Sequence, residues 1–241
     1  FAKRGIQIKT GVAVESQTTG EDGVTVSYGD GETISAETVV MSVGRRPASE
    51  TLGLAATDVR VDDRGFIEVD EFCRTSVPGV WAVGDVVDTA QLAHVGFAEG
   101  ILVITDILGE AAVPVDYGKV PWCIYCHPEV AFAGHSEESA KEAGFDVVVS
   151  KHRFTGNGRA MIVGQTEGLV KVIAEKGTGR MLGCQIVGMA GSAKRIDVAS
   201  VAIWNEMTVE DVASLDLGYS PPFSPVWDPV QTAARKAAGM V

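Results

Sequence analysis

Positive charge is scarce in this chain: 20 Lys and Arg stand against 32 Asp and Glu, for a net charge of −12 and a pI near 4.8. A phosphate-backbone partner needs a basic face, so the balance argues against nucleic acid and against anionic membrane surfaces. Long apolar runs are missing too. The longest, Leu92–Leu108, is broken by His94, Glu99 and Asp106 and reads as a buried helix rather than a membrane span. The opening FAKRGIQIKT has no apolar core of a secretion signal. Four cysteines, at 73, 123, 126 and 184, are too few and too scattered for a disulfide framework, so a reducing cytoplasm is the expected compartment. Histidine is equally sparse: the four residues lie at 94, 127, 135 and 152, and none follows. No G-x-G-x-x-G occurs, since Gly156-Asn-Gly158 and Gly177-Thr-Gly179 lack the third glycine.

What is present is a globular composition, 46% hydrophobic and 22% charged over 241 residues, enough for one large or two ordinary domains. Residues 1–56 read as β-rich, with strands at Ile6–Lys9, Val12–Gln17 and Val24–Tyr28. Turns fall at Gly20 and Gly29–Gly31, and a strand buried on both faces is expected at Thr38–Val43. Residues 57–116 carry short strands at Val59–Val61, Phe66–Val69 and Val80–Val83. A helix follows from Gln91 to Leu108, apolar nearly all round and so expected between two layers. From residue 117 the pattern becomes one antiparallel sheet with helices. Its strands are expected at Ile124–Ala131, Val147–Phe154, Arg159–Val163, Leu169–Ile173 and Met181–Val187, and helices at Ser136–Ala143 and Ser192–Asn205. Thr208 with Asp211, and Asp228 with Pro229 and Gln231, have the spacing of helix N-caps, and Asp228 reads as a cap rather than a catalyst.

The stretch Thr75–Gly100, TSVPGVWAVGDVVDTAQLAHVGFAEG, concentrates the chemistry. Gly84 lets a ligand approach the backbone and Asp85 offers an acceptor to sugar-type hydroxyls, past the carboxyl end of a strand. The helix that follows presents free amides and a positive dipole end. By itself a Gly-Asp corner is often only a cap or turn. The whole run, however, resembles the second FAD-binding motif of the pyridine nucleotide-disulfide oxidoreductases, and dihydrolipoamide dehydrogenases match it best. The resemblance implies that Asp85 holds the flavin's ribityl chain and that the Leu92-Ala93-His94 backbone faces the pyrimidine end of the ring. VVMSVGRRP (39–47) is similar to the family's return from the NAD domain, with Gly44 near the nicotinamide. VPWCIYCHPEVAFAG (120–134), GNGRAM, EGLVKVI and MLGCQIVG continue in the family's order through its dimerisation domain.

The family reading implies an α/β and α+β architecture: residues 1–56 close an NAD domain, 57–116 form the second FAD segment, and 117–241 form an interface domain with an antiparallel sheet. It implies FAD and NAD (or NADP) as cofactors, a homodimer, a dithiol or disulfide substrate, and a 2-oxo acid dehydrogenase complex as a further partner. The family's nucleotide fingerprints and redox disulfide precede such a segment, so the chain is expected to be a C-terminal portion, inactive alone. Two features sit apart. Cys123-Ile-Tyr-Cys126-His127 spells a haem-attachment pattern, but residues three apart on a strand point to opposite faces, so the sulfurs should diverge. The tail Y-S-P-P-F-S-P-V-W-D-P (219–229) lacks the family's catalytic His-Pro and following Glu. It is more similar to the tails of coenzyme A-disulfide reductases and NADH oxidases, where a tyrosine stands near flavin and disulfide. Tyr219 is the candidate for that place; the other reading is a hydroxyl that satisfies a proline-rich turn. A non-catalytic dimerisation module is the alternative from another class.

Overall fold

The computed structural model describes residues 1–189 and 191–241. The described chain divides into two units, Phe1–Arg46 and Pro47–Val241.

The first unit is a three-stranded antiparallel meander of β1 (Val14–Gly20), β2 (Gly23–Tyr28) and β3 (Glu32–Ala36). The glycine turns lie where the sequence put them, while Glu32–Ala36 is a strand that the pattern missed. Two expected strands are absent. Ile6–Lys9 is irregular, and so is Thr38–Val43, whose Val40 and Val43 are 84% and 80% exposed. A β-branched run becomes a strand only when another backbone satisfies its ladder, and no described residue pairs with this one.

The second unit opens with a loop-rich segment tied by isolated bridges, Val61↔Ile67 and Arg74↔Trp81. These replace the strands expected at Val59–Val61, Phe66–Val69 and Val80–Val83. A small core of Ile67, Ala82 and Val87 anchors the segment. Helix α1 (Ala93–Ile107) lies where the periodicity placed it, but it is not sandwiched. Val95, Glu99 and Leu102 are buried, whereas Phe97 and Ile101 are 77% and 68% exposed. Its opposite face has no second layer among the described residues. No described helix is long and apolar enough to cross a membrane.

The rest is a five-stranded antiparallel sheet in the order β4 (Trp122–Ile124), β5 (Glu129–Gly134), β8 (Met181–Gly188), β7 (Gly168–Glu175), β6 (Val147–Arg153). Alternation sets its faces. Val170, Val172 and Ala174 point into the main core with Cys184 and Ile186, whereas Ile173 and Leu182 turn to the other face against Ala140 of α2 (Glu137–Glu142). Helices α4 (Ile196–Trp204), α5 (Val209–Ser214) and α6 (Pro229–Ala238) cover the main face. The facing residues are largely alanine (131, 133, 199, 202, 233, 234, 237), which lets helix backbones lie close to the sheet.

Two expectations change here. Ile124–Ala131 is two strands, β4 and β5, separated by a tight turn through Tyr125–Pro128. Arg159–Val163 is not a strand but α3 (Gly158–Ile162), because the Asn157 side chain accepts from the Ala160 amide at 3.0 Å and starts a helix. The caps read from sequence are present: Thr208 with Asp211 and Asp228 with Gln231 both form reciprocal capping boxes.

The Glu137 carboxylate accepts from Lys141 one turn on and from Lys171 of β7, and these bonds hold its pKa down at about 2. A carboxyl depressed in the folded state stabilises above its unfolded pKa and loses that contribution as pH falls. Glu137→Gln is therefore expected to flatten the dependence of the denaturation midpoint between about pH 4.5 and pH 2. An unchanged acid slope would contradict this.

Candidate functional site

The Gly84–Val86 corner is a single 3-10 turn entered from extended Val83. Gly84 has φ +76, a left-handed value that glycine accepts freely, and a Cβ built there would meet nothing within 4 Å. The space in front of its backbone is open. Asp85 follows, exposed on the turn. Behind the corner lies α1, close enough that a Cβ at Gly96 would sit 3.5 Å from the Gly84 Cα. Leu92 is the N-cap of α1 with no side-chain cap, so the first-turn amides, including those of exposed Ala93 and His94, head an open helix end. An apolar trough of about 770 Å³ runs from Val83 and Gly84 along Phe97, Ile101, Ile104 and Leu108.

The inward stripe of α1 reads Val95, Glu99, Leu102, Asp106, a helical spacing in which two of four residues are acidic. Each acid staples a loop. Glu99 is fully buried and accepts three hydrogen bonds: from the Gly84 amide at 2.6 Å, from Thr89 Oγ1 at 2.7 Å and from the Tyr117 hydroxyl at 2.9 Å. Asp106 pairs with the Arg74 guanidinium and accepts from Trp81 Nε1 at 3.1 Å. The Arg74 bond, with help from Trp81, holds the Asp106 carboxyl below the usual range. Cys73, a buried non-glycine residue at φ +60, lies in the same neighbourhood. Burial, reinforced by the charge of Glu99, pushes its thiol up to about 11. Burial and the bond to Glu99 likewise raise the Tyr117 hydroxyl. Cys73 is thus a packed thiol, not a nucleophile.

The structure therefore brings together Gly84, Asp85, Leu92, Ala93 and His94. Gly44 belongs to the first unit, where it is exposed at φ +117. Tyr219 is 63% exposed in the irregular stretch between α5 and α6, and its hydroxyl bonds no described residue. Glu99, Asp106, Thr89 and Tyr117 are the residues sequence reasoning missed. The available signal was the pair of acids seven apart in an otherwise apolar helix, which looks like interruption until the helix is wound. The two CxxC sulfurs do diverge, though not because both sit on one strand. Cys123 Sγ faces the Ala193 carbonyl from β4, and exposed Cys126 lies in the turn, facing the Pro128 carbonyl. Among the described residues no group of three or more His, Cys, Asp or Glu could hold a metal ion.

The corner, the open helix end and the trough fit part of a flavin: an acceptor for hydroxyls and amides for the electron-rich edge of a ring. No glycine-rich phosphate turn of the G-x-G-x-x-G kind occurs in the sequence.

Comparison with known proteins bears on the family. Residues 1–100 match the family described as pyridine nucleotide-disulphide oxidoreductase, and residues 120–229 match the dimerisation domain of the same family. The chain is 41% identical over 216 residues to a dihydrolipoyl dehydrogenase of Cupriavidus necator, covering 88% of this chain and 45% of that protein. Among solved structures it is similar to an NAD-dependent persulfide reductase from A. fulgidus (TM-score 0.81, 33% identity, 99% of this chain and 46% of that one). It is also similar to LpdA from Mycobacterium tuberculosis (TM-score 0.85, 26% identity, 98% and 50%). The chain spans less than half the length of the curated relatives it matches.

Proposed function

The chain belongs to the pyridine nucleotide-disulphide oxidoreductase family, and from that premise we propose that it carries the second FAD segment and interface domain of a dihydrolipoyl dehydrogenase-like enzyme. On this reading residues 1–56 close an NAD domain, 57–116 line the flavin, and 117–241 form the interface of a homodimer. The intact enzyme passes electrons between NAD(H), or NADP(H), and a dithiol or disulfide. The flavin, when bound, supplies the two-electron relay between the two. The residues of this chain bind and orient. Asp85 accepts from the ribityl hydroxyls, Gly84 allows the close approach, and the α1 amides at Ala93 and His94 face the ring edge that gains negative charge. Gly44 borders the nicotinamide. Service in a 2-oxo acid dehydrogenase complex follows from the dihydrolipoyl reading alone.

The observation that carries the proposal is the juxtaposition of the open Gly84–Asp85 corner with an uncapped helix end, held by a buried carboxylate. Asp85→Ala in the full-length enzyme is expected to weaken FAD retention by at least about tenfold, the loss of one or two hydrogen bonds from hydroxyls to a carboxylate. FAD release measured by flavin fluorescence checks this, and undiminished retention would overturn the site. The 241-residue chain alone is expected to show no tight FAD binding by isothermal titration.

A second reading concerns the substrate. No histidine follows His152, so the tail has no imidazole to take a thiol proton. Exposed Tyr219, and similarity to a persulfide reductase, favour a coenzyme A disulfide or persulfide as the sulfur substrate, with Tyr219 beside the reacting sulfurs. Turnover of full-length enzyme on dihydrolipoamide against coenzyme A disulfide decides between them.

A further inference from the structure

The Gly84–Asp85 corner is held by something other than its own turn. Its backbone is left-handed at Gly84, and the Gly84 amide donates to a side chain outside the turn. That partner is Glu99, fully buried one turn beyond Val95 on α1. Burying a carboxylate is costly unless donors converge on it. Here one oxygen receives the Gly84 amide, and the other receives two hydroxyls, Thr89 three residues beyond the turn and Tyr117 eighteen residues beyond Glu99. A leucine would fill the apolar stripe of α1 without that cost, so packing alone does not explain an acid here. What an acid adds is the tie to one backbone amide and two side-chain hydroxyls at three places along the chain. The third is informative, because Tyr117 begins the 3-10 turn Tyr117–Lys119, capped by Asp116, that leads directly into β4 of the interface sheet.

We propose that Glu99 is a positioning residue for the Gly84–Asp85 corner and that, through Tyr117, it couples the set of that corner to the segment opening the interface sheet. That the corner serves a cofactor rests on the flavin reading above; the coupling does not. Change at the sheet edge reaches the corner through two hydrogen bonds on one carboxylate, which is a short physical path.

The two sources of failure separate when the corner is measured without any cofactor. The probe is the Gly84 amide in the ¹⁵N-labelled chain, its proton shift and hydrogen-exchange rate, with amides of β7 and β8 as the control for global folding. Glu99→Leu is expected to speed Gly84 exchange by about 100-fold while the sheet amides hold. Glu99→Gln is the conservative rescue: its oxygen still accepts from Gly84 and its NH₂ can donate to the two hydroxyls, so exchange should stay within about threefold of the parent. Tyr117→Phe, which leaves the corner itself untouched, is expected to shift the Gly84 resonance and speed its exchange by about tenfold. Gly84 exchange that is indifferent to Glu99→Leu would overturn the positioning role, as would a glutamine variant as labile as the leucine one. Should the leucine variant fail to fold, Tyr117→Phe decides: an unmoved Gly84 amide there sinks the coupling. Undiminished FAD retention by Asp85→Ala in the full-length enzyme, with these responses intact in the chain, would count against the flavin reading alone.

Discussion

Gly168→Ala is expected to destabilise the interface sheet by about 4 kcal/mol. Two costs combine at this position. Gly168 opens β7 at φ +105, a conformation that a side chain resists. A Cβ built there would also overlap the Val187 carbonyl on β8, and that obstacle is backbone rather than a flexible side-chain tip. Gly168 pairs with Gly188, and the next rungs, Leu169↔Val187 and Val170↔Ile186, lead straight into the fully buried core, so the two central strands cannot part without opening it. Gly177→Ala is the matched control. It shares a left-handed φ, +86, but a Cβ there meets nothing within 4 Å, so only the backbone cost of about 1 kcal/mol remains. Denaturant midpoints for the two variants measure the difference; equal midpoints would mean that β7 and β8 are not packed this tightly.

Asp228→Ala should follow, at about 3 kcal/mol. One carboxylate does two jobs at the head of α6. Its Oδ1 accepts from the Val230 amide at 2.9 Å while Gln231 Oε1 accepts from the Asp228 amide, and its Oδ2 pairs with Arg195 just ahead of α4. The pair is largely enclosed, with side chains 18% and 14% exposed, so solvent does not replace the lost partner well. Removal costs the cap, about 1 kcal/mol, and leaves Arg195 with the Phe223 carbonyl as its remaining acceptor. Asp228→Asn keeps the cap oxygen and is expected to lose about half as much. A pair of midpoints in which Asn and Ala fall equally would show that the ion pair contributes everything and the cap nothing. The junction closes the stretch 215–228, which carries Tyr219, the tyrosine proposed to stand beside the reacting sulfurs.

The legible parts of this protein are those governed by neighbours in sequence. Three of the interface strands, the helix at 93–107, the caps at Thr208 and Asp228 and the corner at Gly84–Asp85 were all readable. Each depends on local periodicity, on a side chain reaching an amide two or three residues away, or on a glycine that must turn. The errors have two causes. Thr38–Val43 and Val80–Val83 carry strand propensity, yet a strand is a relation between two segments, and no described residue supplies a ladder for the first while the second gains only one bridge. At Arg159–Val163 the cap at Asn157 outweighed the apolar run.

Sequence by itself determined the family and the order of its motifs, and it singled out Asp85 and the start of α1 as the proposed ligand site. The order of motifs along a chain survives any rearrangement of contacts in space. Tertiary structure alone decided what holds that site in place. Glu99 and Asp106 look in sequence like flaws in an apolar helix, and they become staples only when folding sets Gly84, Thr89, Tyr117, Arg74 and Trp81 around them. A buried carboxylate has no meaning apart from its donors, and those donors lie up to 32 residues away along the chain.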